Sequence, residues 1–122
     1  MRHRYDSTRG FFVHELSGSL DLARFKSVQI ASYIGDDLAR FRNVLWDIGD
    51  HRLLFAYADI VRDDPHFMHT LATRRPSGRT AFATSSQTNL VVLRNLERAH
   101  PWTTEWRYFD TAAEAATWLA ED

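Results

Sequence analysis

The alternation of apolar and polar residues changes its period along this chain, and the two periods predict strands and helices. Residues 2–9 are polar, and Gly10 separates them from a segment in which Phe12 and Leu16 share one face with His14 between them. A period of two is typical of a strand. We therefore expect two adjacent strands at the start of the chain, joined by a turn at Gly10.

Further along, three short runs rich in β-branched and aromatic residues predict buried strands, and the segments between them have the apolar spacing of helix faces. The later strands are expected at 43–48, 80–85 and 104–109, and the helices at 19–41, 53–73 with a break or kink at Pro65, 86–99 and 111–122. Strands that alternate with helices require right-handed crossovers and a largely parallel sheet. The expected fold class is α/β: a single domain over residues 1–122, with a mixed, mostly parallel sheet of about five strands and about four helices.

Hydroxyl side chains ahead of the apolar stripes predict where helices begin, because they cap free backbone N–H groups. The predicted caps are Ser17 or Ser19, Ser85 or Ser86, and Thr111 with Glu114 in a capping box. On the first helix, Leu22, Phe25 and Tyr33 lie off the main apolar stripe. They could cover a neighbouring element or a partner, and we treat them as a candidate interface of a homodimer or a hetero-complex.

Composition narrows the function classes. The formal net charge of the 122 residues is −1, which gives no general attraction to nucleic acid. The chain has no cysteine, so disulfides, thiolate catalysis and zinc–thiolate sites are excluded. No apolar run is long enough for a membrane span, and the first ten residues do not have the pattern of a signal peptide. We expect a cytoplasmic protein.

Several strings in this order resemble the SpoIIAA-like branch of the STAS domains, which includes the anti-sigma-factor antagonists of bacteria. They are Gly18 before the first helix, "VLWD" ending in Asp47, "LRNLE" at 93–97, and "WRYFDTAAEAATWL" at 106–119. The resemblance covers nearly the whole chain. It implies the same α/β fold and a non-enzymatic module that either takes part in protein–protein interactions in sigma-factor or other bacterial signalling, or binds an apolar or amphipathic small molecule.

One departure from the family bears on this choice. The phosphorylated antagonists carry a Ser or Thr directly after the strand-end Asp, whereas Asp47 is followed by Ile48, Gly49, Asp50 and His51. Without a hydroxyl, phosphorylation cannot add its charge at this turn. The expected function is therefore a binding or regulatory module that has no phosphoacceptor Ser or Thr.

Asp47, Asp50 and His51 could also form an acid–base or metal cluster, because α/β sheets bind ligands at the carboxyl ends of their strands. The alternative is ordinary turn chemistry, and the sequence shows no nucleophile, phosphate loop or metal signature that would support catalysis. An enzyme that uses Asp47 and His51 is thus a minor hypothesis, and we expect neither a metal nor a cofactor.

Two other clusters have ordinary explanations. His66 and His69 could share an ion on one helix, but exposed histidines are the simpler interpretation. Three arginines, Arg74, Arg75 and Arg79, could receive an anion, but a solvated basic loop is the preferred interpretation because the overall charge is close to neutral. Nucleic-acid binding is not expected here, because the tryptophans are not interleaved with these arginines.

Aromatic residues are more abundant than small strand-end helices need, and they could line an apolar pocket; the alternative is plain core packing. They are Trp46, Phe55, Tyr57, Phe67, Trp102 and Trp106, together with the apolar Met68. We place the functional surface at a cleft between the 47–51 turn, the helix at 54–72 and the cap at 85–86. Its expected ligand-binding residues are Asp47, Asp50, His51, Tyr57 and Ser85.

Overall fold

A computed structural model describes residues 1–33, 42–55, 58–59, 62, 66, 77–99 and 102–121. Five strands and three continuous helices lie within these residues, and the described residues at 58–59, 62 and 66 are also helical. In chain order, the strands and continuous helices are β1 (Arg2–Asp6), β2 (Phe11–Glu15), α1 (Leu22–Tyr33), β3 (Val44–Asp47), β4 (Gly78–Ala83), α2 (Gln87–Ala99), β5 (Thr104–Phe109) and α3 (Ala112–Leu119). The α/β class is confirmed.

The five strands form one sheet in the order β1-β2-β3-β4-β5. The β1–β2 pair is antiparallel and every other pair is parallel, as the sequence predicts. At the turn between β1 and β2, Gly10 has a positive φ of 78°, and its N–H donates to the Asp6 carbonyl at 2.7 Å. Glycine is needed here because other residues rarely adopt this backbone conformation.

Helices cover both faces of the sheet. On one face, which we call the α1/α2 face, the strands are covered by Phe25, Val28, Leu93 and Leu96. On the other, which we call the α3 face, they are covered by Ala115 and Leu119. Because side chains alternate along a strand, β3 sends Val44 and Trp46 to the first face and Leu45 to the second. Because β3 is buried on both faces, its sequence is a continuous apolar run from Val44 to Trp46 and does not alternate with polar residues.

The first helix begins later than predicted. Leu20 forms a parallel bridge with Leu53, accepting from the N–H of Leu54 and donating to the carbonyl of Arg52. Asp21 then caps the helix, since its Oδ1 accepts from the Arg24 N–H at 2.8 Å. The predicted starts at Ser17 and Ser19 are wrong, because Ser17 and Gly18 lie in a bend and the bridge at Leu20 precedes the first helical residue, Leu22.

The predicted helix at 53–73 falls largely outside the described residues. Its start needs correction, because Leu53 lies in the bridge and Leu54 and Phe55 are not helical. Ala58, Asp59, Arg62 and His66 are helical where they are described. His69, Arg74, Arg75 and the remaining part of the first predicted helix, 34–41, also lie outside the described residues.

The caps of the other two helices follow the sequence. Ser86, rather than Ser85, caps α2 by accepting from the Asn89 N–H at 3.3 Å. Thr111 caps α3 by accepting from the Glu114 N–H at 3.2 Å, and its hydroxyl donates to the Glu114 carboxylate. In the part of the chain that is described, no helix has the length and apolar character of a membrane span.

The other end of α3 is held by an arginine. Arg79 donates through Nη1 to the carbonyls of Trp118, at 2.8 Å, and Glu121, at 3.0 Å. Its guanidinium also lies 5.2 Å from the centre of the Trp118 ring. Arg79, which could have served as an anion ligand, therefore satisfies the last carbonyls of a helix instead.

Candidate functional site

The turn after β3 is fixed by the neighbouring strand. The N–H groups of Ile48 and Gly49 both donate to the Ala83 carbonyl at 3.0 Å, and the Thr84 hydroxyl donates to the Gly49 carbonyl at 2.8 Å. Gly49 has a φ of 59°, which favours glycine at this position. The acidic, glycine-containing stretch is thus a well-bonded junction between β3 and β4.

A single buried side chain joins this turn to α2. Asn89, which is 1% exposed, donates through Nδ2 to the His51 carbonyl at 2.8 Å and to the Thr84 hydroxyl at 3.2 Å. Its Oδ1 accepts from the Leu53 N–H at 3.1 Å. We call this arrangement the Asn89 clamp. Sequence reasoning missed it, although an Asn in the first turn of an amphipathic helix is a recognisable signal for a local polar role.

Asp47 lies at the carboxyl edge of the sheet, opposite Glu15 of β2 in the parallel register. Partial burial and the nearby Glu15 carboxylate raise the pKa of Asp47, while Arg4 and His51 act in the opposite direction. A like-charged neighbour on the next strand makes the ionised form of Asp47 less favourable. Sequence patterns alone did not identify Glu15 as this neighbour.

The other predicted ligand-binding residues are described in part, and His51 lies close enough to Asp47 to lower its pKa. Asp50, His51 and Ser85 are exposed, and Tyr57 lies outside the described residues. Among the residues described, no three His, Cys, Asp or Glu side chains are grouped so that they could hold a metal ion. The exposed ends of the turn therefore define a polar surface, with the backbone beneath it held by Thr84 and Asn89.

A second region, on the α1/α2 face, brings the aromatic residues together. We call it the aromatic cleft; it is lined by Phe25, Trp46, Thr80, Phe82, Leu96, Trp102 and Trp106. The rings of Trp102 and Trp106 are 4.5 Å apart, and those of Phe82 and Trp106 are 4.8 Å apart, both at tilted angles. Such spacings are those of favourable aromatic pairs.

The side-chain polar atoms of Thr80, Trp102 and Trp106 form hydrogen bonds within the protein. The hydroxyls of Thr80 and Thr104 are 3.0 Å apart, and the Trp106 indole N–H donates to the Thr104 hydroxyl at 3.2 Å. The Trp102 indole N–H donates to the Leu96 carbonyl at 3.0 Å. These hydroxyl and indole groups therefore already have partners within the protein, and most of the remaining cleft surface is apolar.

The aromatic cleft is nearly filled by its own side chains. Its empty space is about 280 Å³ including the open mouth, but only about 10 Å³ is clear enough for a molecule, roughly the room for one water. Trp102 and Trp106 are only partly buried. A larger occupant would have to displace these two rings.

The polar turn and the aromatic cleft are separate surfaces. Trp46 faces the cleft, whereas the next residue, Asp47, projects to the α3 face with Glu15, because successive side chains of a strand point in opposite directions. The expected cleft also included the helix at 54–72, most of which lies outside the described residues, so that cleft stays a prediction. Within the described residues, the rings around Trp46 and the carboxylate of Asp47 lie on opposite faces of the sheet.

Two of the three residues proposed as an interface have described side chains, and both pack on the core. Phe25 is 6% exposed and packs between Trp46, 5.7 Å away, and Phe55, 5.2 Å away, so it belongs to the core. Leu22 is half-buried against the same core. Tyr33 is described only as the last residue of α1.

No protein-family model matches this chain, and neither a curated protein nor a solved structure matches it. The resemblance to SpoIIAA-like STAS domains therefore stays a prediction.

Proposed function

We propose that this protein is a non-enzymatic binding module of SpoIIAA-like type, and that its ligand is an apolar or amphipathic small molecule held in the aromatic cleft. The observation that carries the proposal is the meeting of three tryptophans and Phe82 around one opening, with Trp102 and Trp106 partly exposed. Large aromatic rings that stay partly in contact with water gain free energy when a flat apolar group covers them.

The chemistry of the cleft selects for shape and apolar area. The seven lining residues carry no charge, and the indole N–H groups of Trp102 and Trp106 already donate to partners within the protein. A polar group pushed into the cleft would lose hydrogen bonds to water without replacing them. We therefore expect the apolar part of an amphipathic ligand to enter the cleft and its polar part to remain at the mouth.

Binding should require movement of the two tryptophans at the mouth. Pockets for small molecules usually enclose several hundred Å³, far more than the space that is clear here. Trp102 precedes β5 and Trp106 lies on this edge strand. Rotation of these rings would enlarge the cleft without disturbing the central strands, so ligand binding should change indole fluorescence.

The test is a titration with the uncharged fluorescent probe N-phenyl-1-naphthylamine, combined with native mass spectrometry for copurified ligands. Wild-type protein should bind the probe saturably, and Trp106→Leu should weaken binding about tenfold, equivalent to about 1.4 kcal/mol. Trp118→Phe is the control, because Trp118 belongs to α3, which covers the opposite face of the sheet. The absence of saturable binding, or equal weakening by both substitutions, would refute the proposal.

A further inference from the structure

The outer strand β1 is attached to the sheet through β2 alone among the described strands. Four of its five residues are exposed, and its antiparallel register places His3 directly opposite His14. Edge strands are often the least stable part of a sheet, because they have a partner on one side and few buried contacts. Interactions on the two His rings therefore matter to its attachment.

The two imidazoles share one short hydrogen bond. Their Nδ1 atoms are 2.8 Å apart, and the rings are 5.0 Å apart and nearly perpendicular. His14 is 1% exposed, with its ring 4.3 Å from that of Trp46. One Nδ1 must donate a proton and the other must accept it, which is possible only while at least one ring is neutral.

Protonation of both rings removes this bond. A first added proton can reside on the Nε2 of the donor ring, and the donor Nδ1–H then keeps its acceptor. A second proton must occupy the accepting Nδ1, which leaves two N–H groups facing each other across 2.8 Å and two like charges side by side. The arrangement is therefore stable at neutral pH and unstable once both rings are charged.

The surrounding charges act in the same direction. The Met1 amino group and Arg24 of α1 both lower the pKa of His3, after the larger effect of partial burial of its ring. The β3 residue beside His14 is the uncharged Trp46, while Glu15 and Asp47 alternate to the α3 face. Since the folded state holds the His3 proton less tightly than the unfolded chain does, stability is lost as pH falls below the ordinary value of 6.5.

We infer that His3 and His14 form a pH-sensitive latch, which holds β1 on β2 at neutral pH and releases it on acidification. Release would leave β2 as the new edge of the sheet and expose the backbone groups that now pair with residues 2–6. The latch is formed through the β1–β2 register and does not require a ligand in the aromatic cleft.

Hydrogen exchange of the full chain tests the latch. After correction for the intrinsic effect of pH, amides of residues 2–6 in wild-type protein should exchange about tenfold faster at pH 5.5 than at pH 7.5, relative to those of β4 and β5. In His3→Asn, whose amide can take the place of Nδ1 without titrating, this ratio should be independent of pH. His51→Asn removes an exposed histidine outside the pair and should behave like wild type.

Imidazole ¹⁵N chemical shifts provide a second measurement. The pair should titrate in two separate steps in wild-type protein, and the His14 ring should follow a single step in His3→Asn. The inference is overturned if β1 exchange in wild type is unchanged between the two pH values, if all strands respond equally, or if His3→Asn keeps the wild-type response. Independent titration of both rings near their ordinary pKa would also overturn it.

Discussion

Replacing Asn89 with alanine removes the side chain that joins α2 to the turn after β3. The substitution eliminates the three side-chain hydrogen bonds of the Asn89 clamp, to His51, Leu53 and Thr84. Each such bond contributes about 1 kcal/mol net, and a buried group left without its partner costs at least as much. We therefore expect the free energy of unfolding to fall by about 3 kcal/mol and Tm to fall by about 10 °C.

Urea denaturation followed by circular dichroism measures this loss, with Asn95→Ala as the matched control. Asn95 lies on the same helix but is exposed, so its substitution should change stability by less than about 0.5 kcal/mol. A loss below about 1 kcal/mol in Asn89→Ala, or equal effects of the two substitutions, would show that the clamp does not hold the turn.

Two further substitutions test the electrostatics of the edge and a close backbone approach. Partial burial and the nearby Glu15 carboxylate raise the pKa of Asp47, so the charged form of Asp47 destabilises the folded protein above that pKa. Asp47→Asn should therefore increase the free energy of unfolding at pH 7 by about 0.5 kcal/mol. At pH 3, where the carboxyl is protonated, the substitution should give no increase. An equal effect in urea titrations at both pH values would contradict this cause. Gly78→Ala should lower the free energy of unfolding by about 1–3 kcal/mol, because a Cβ at this position overlaps the Arg42 carbonyl. The control is Gly18→Ala, which adds its Cβ in open space and should have the same thermal melt as wild type.

The sheet could be predicted because its determinants are local in the sequence. Period-two patterning, Gly10 and the alternation of strands with helical stripes sufficed for five strands and the one antiparallel pair. The start of α1 could not be predicted in this way. It depends on the bridge between Leu20 and Leu53, which are far apart in sequence, and a local capping rule does not include such a contact.

The candidate site was predicted less well, for two different reasons. Asn89 was missed because its partners lie 36 and 38 residues away in sequence. The separation of Trp46 from Asp47, in contrast, was available in the sequence, since neighbouring residues of one strand point to opposite faces. Position at a strand end alone was not enough to group Asp47 with the aromatic rings.

Trp46 links the aromatic cleft to the latch formed by His3 and His14. The centre of its ring lies 4.3 Å from that of the buried His14 ring, and the Trp46 ring also lines the aromatic cleft beside Phe25. A protonated His14 would place a positive charge against this ring, and movement of β1 would change the packing on which the ring rests. By thermodynamic linkage, a ligand that binds better when the latch is closed must in turn favour the closed latch.

We therefore expect N-phenyl-1-naphthylamine to bind wild-type protein more weakly at pH 5.5 than at pH 7.5, by a factor of about three to ten. In His3→Asn the difference between the two affinities should be smaller, since the variant has lost the coupled titration but keeps His14 and every residue that lines the cleft. The uncharged probe does not titrate in this range, so any pH effect belongs to the protein. Equal affinities in wild type at both pH values would show that the latch and the cleft are not coupled through Trp46.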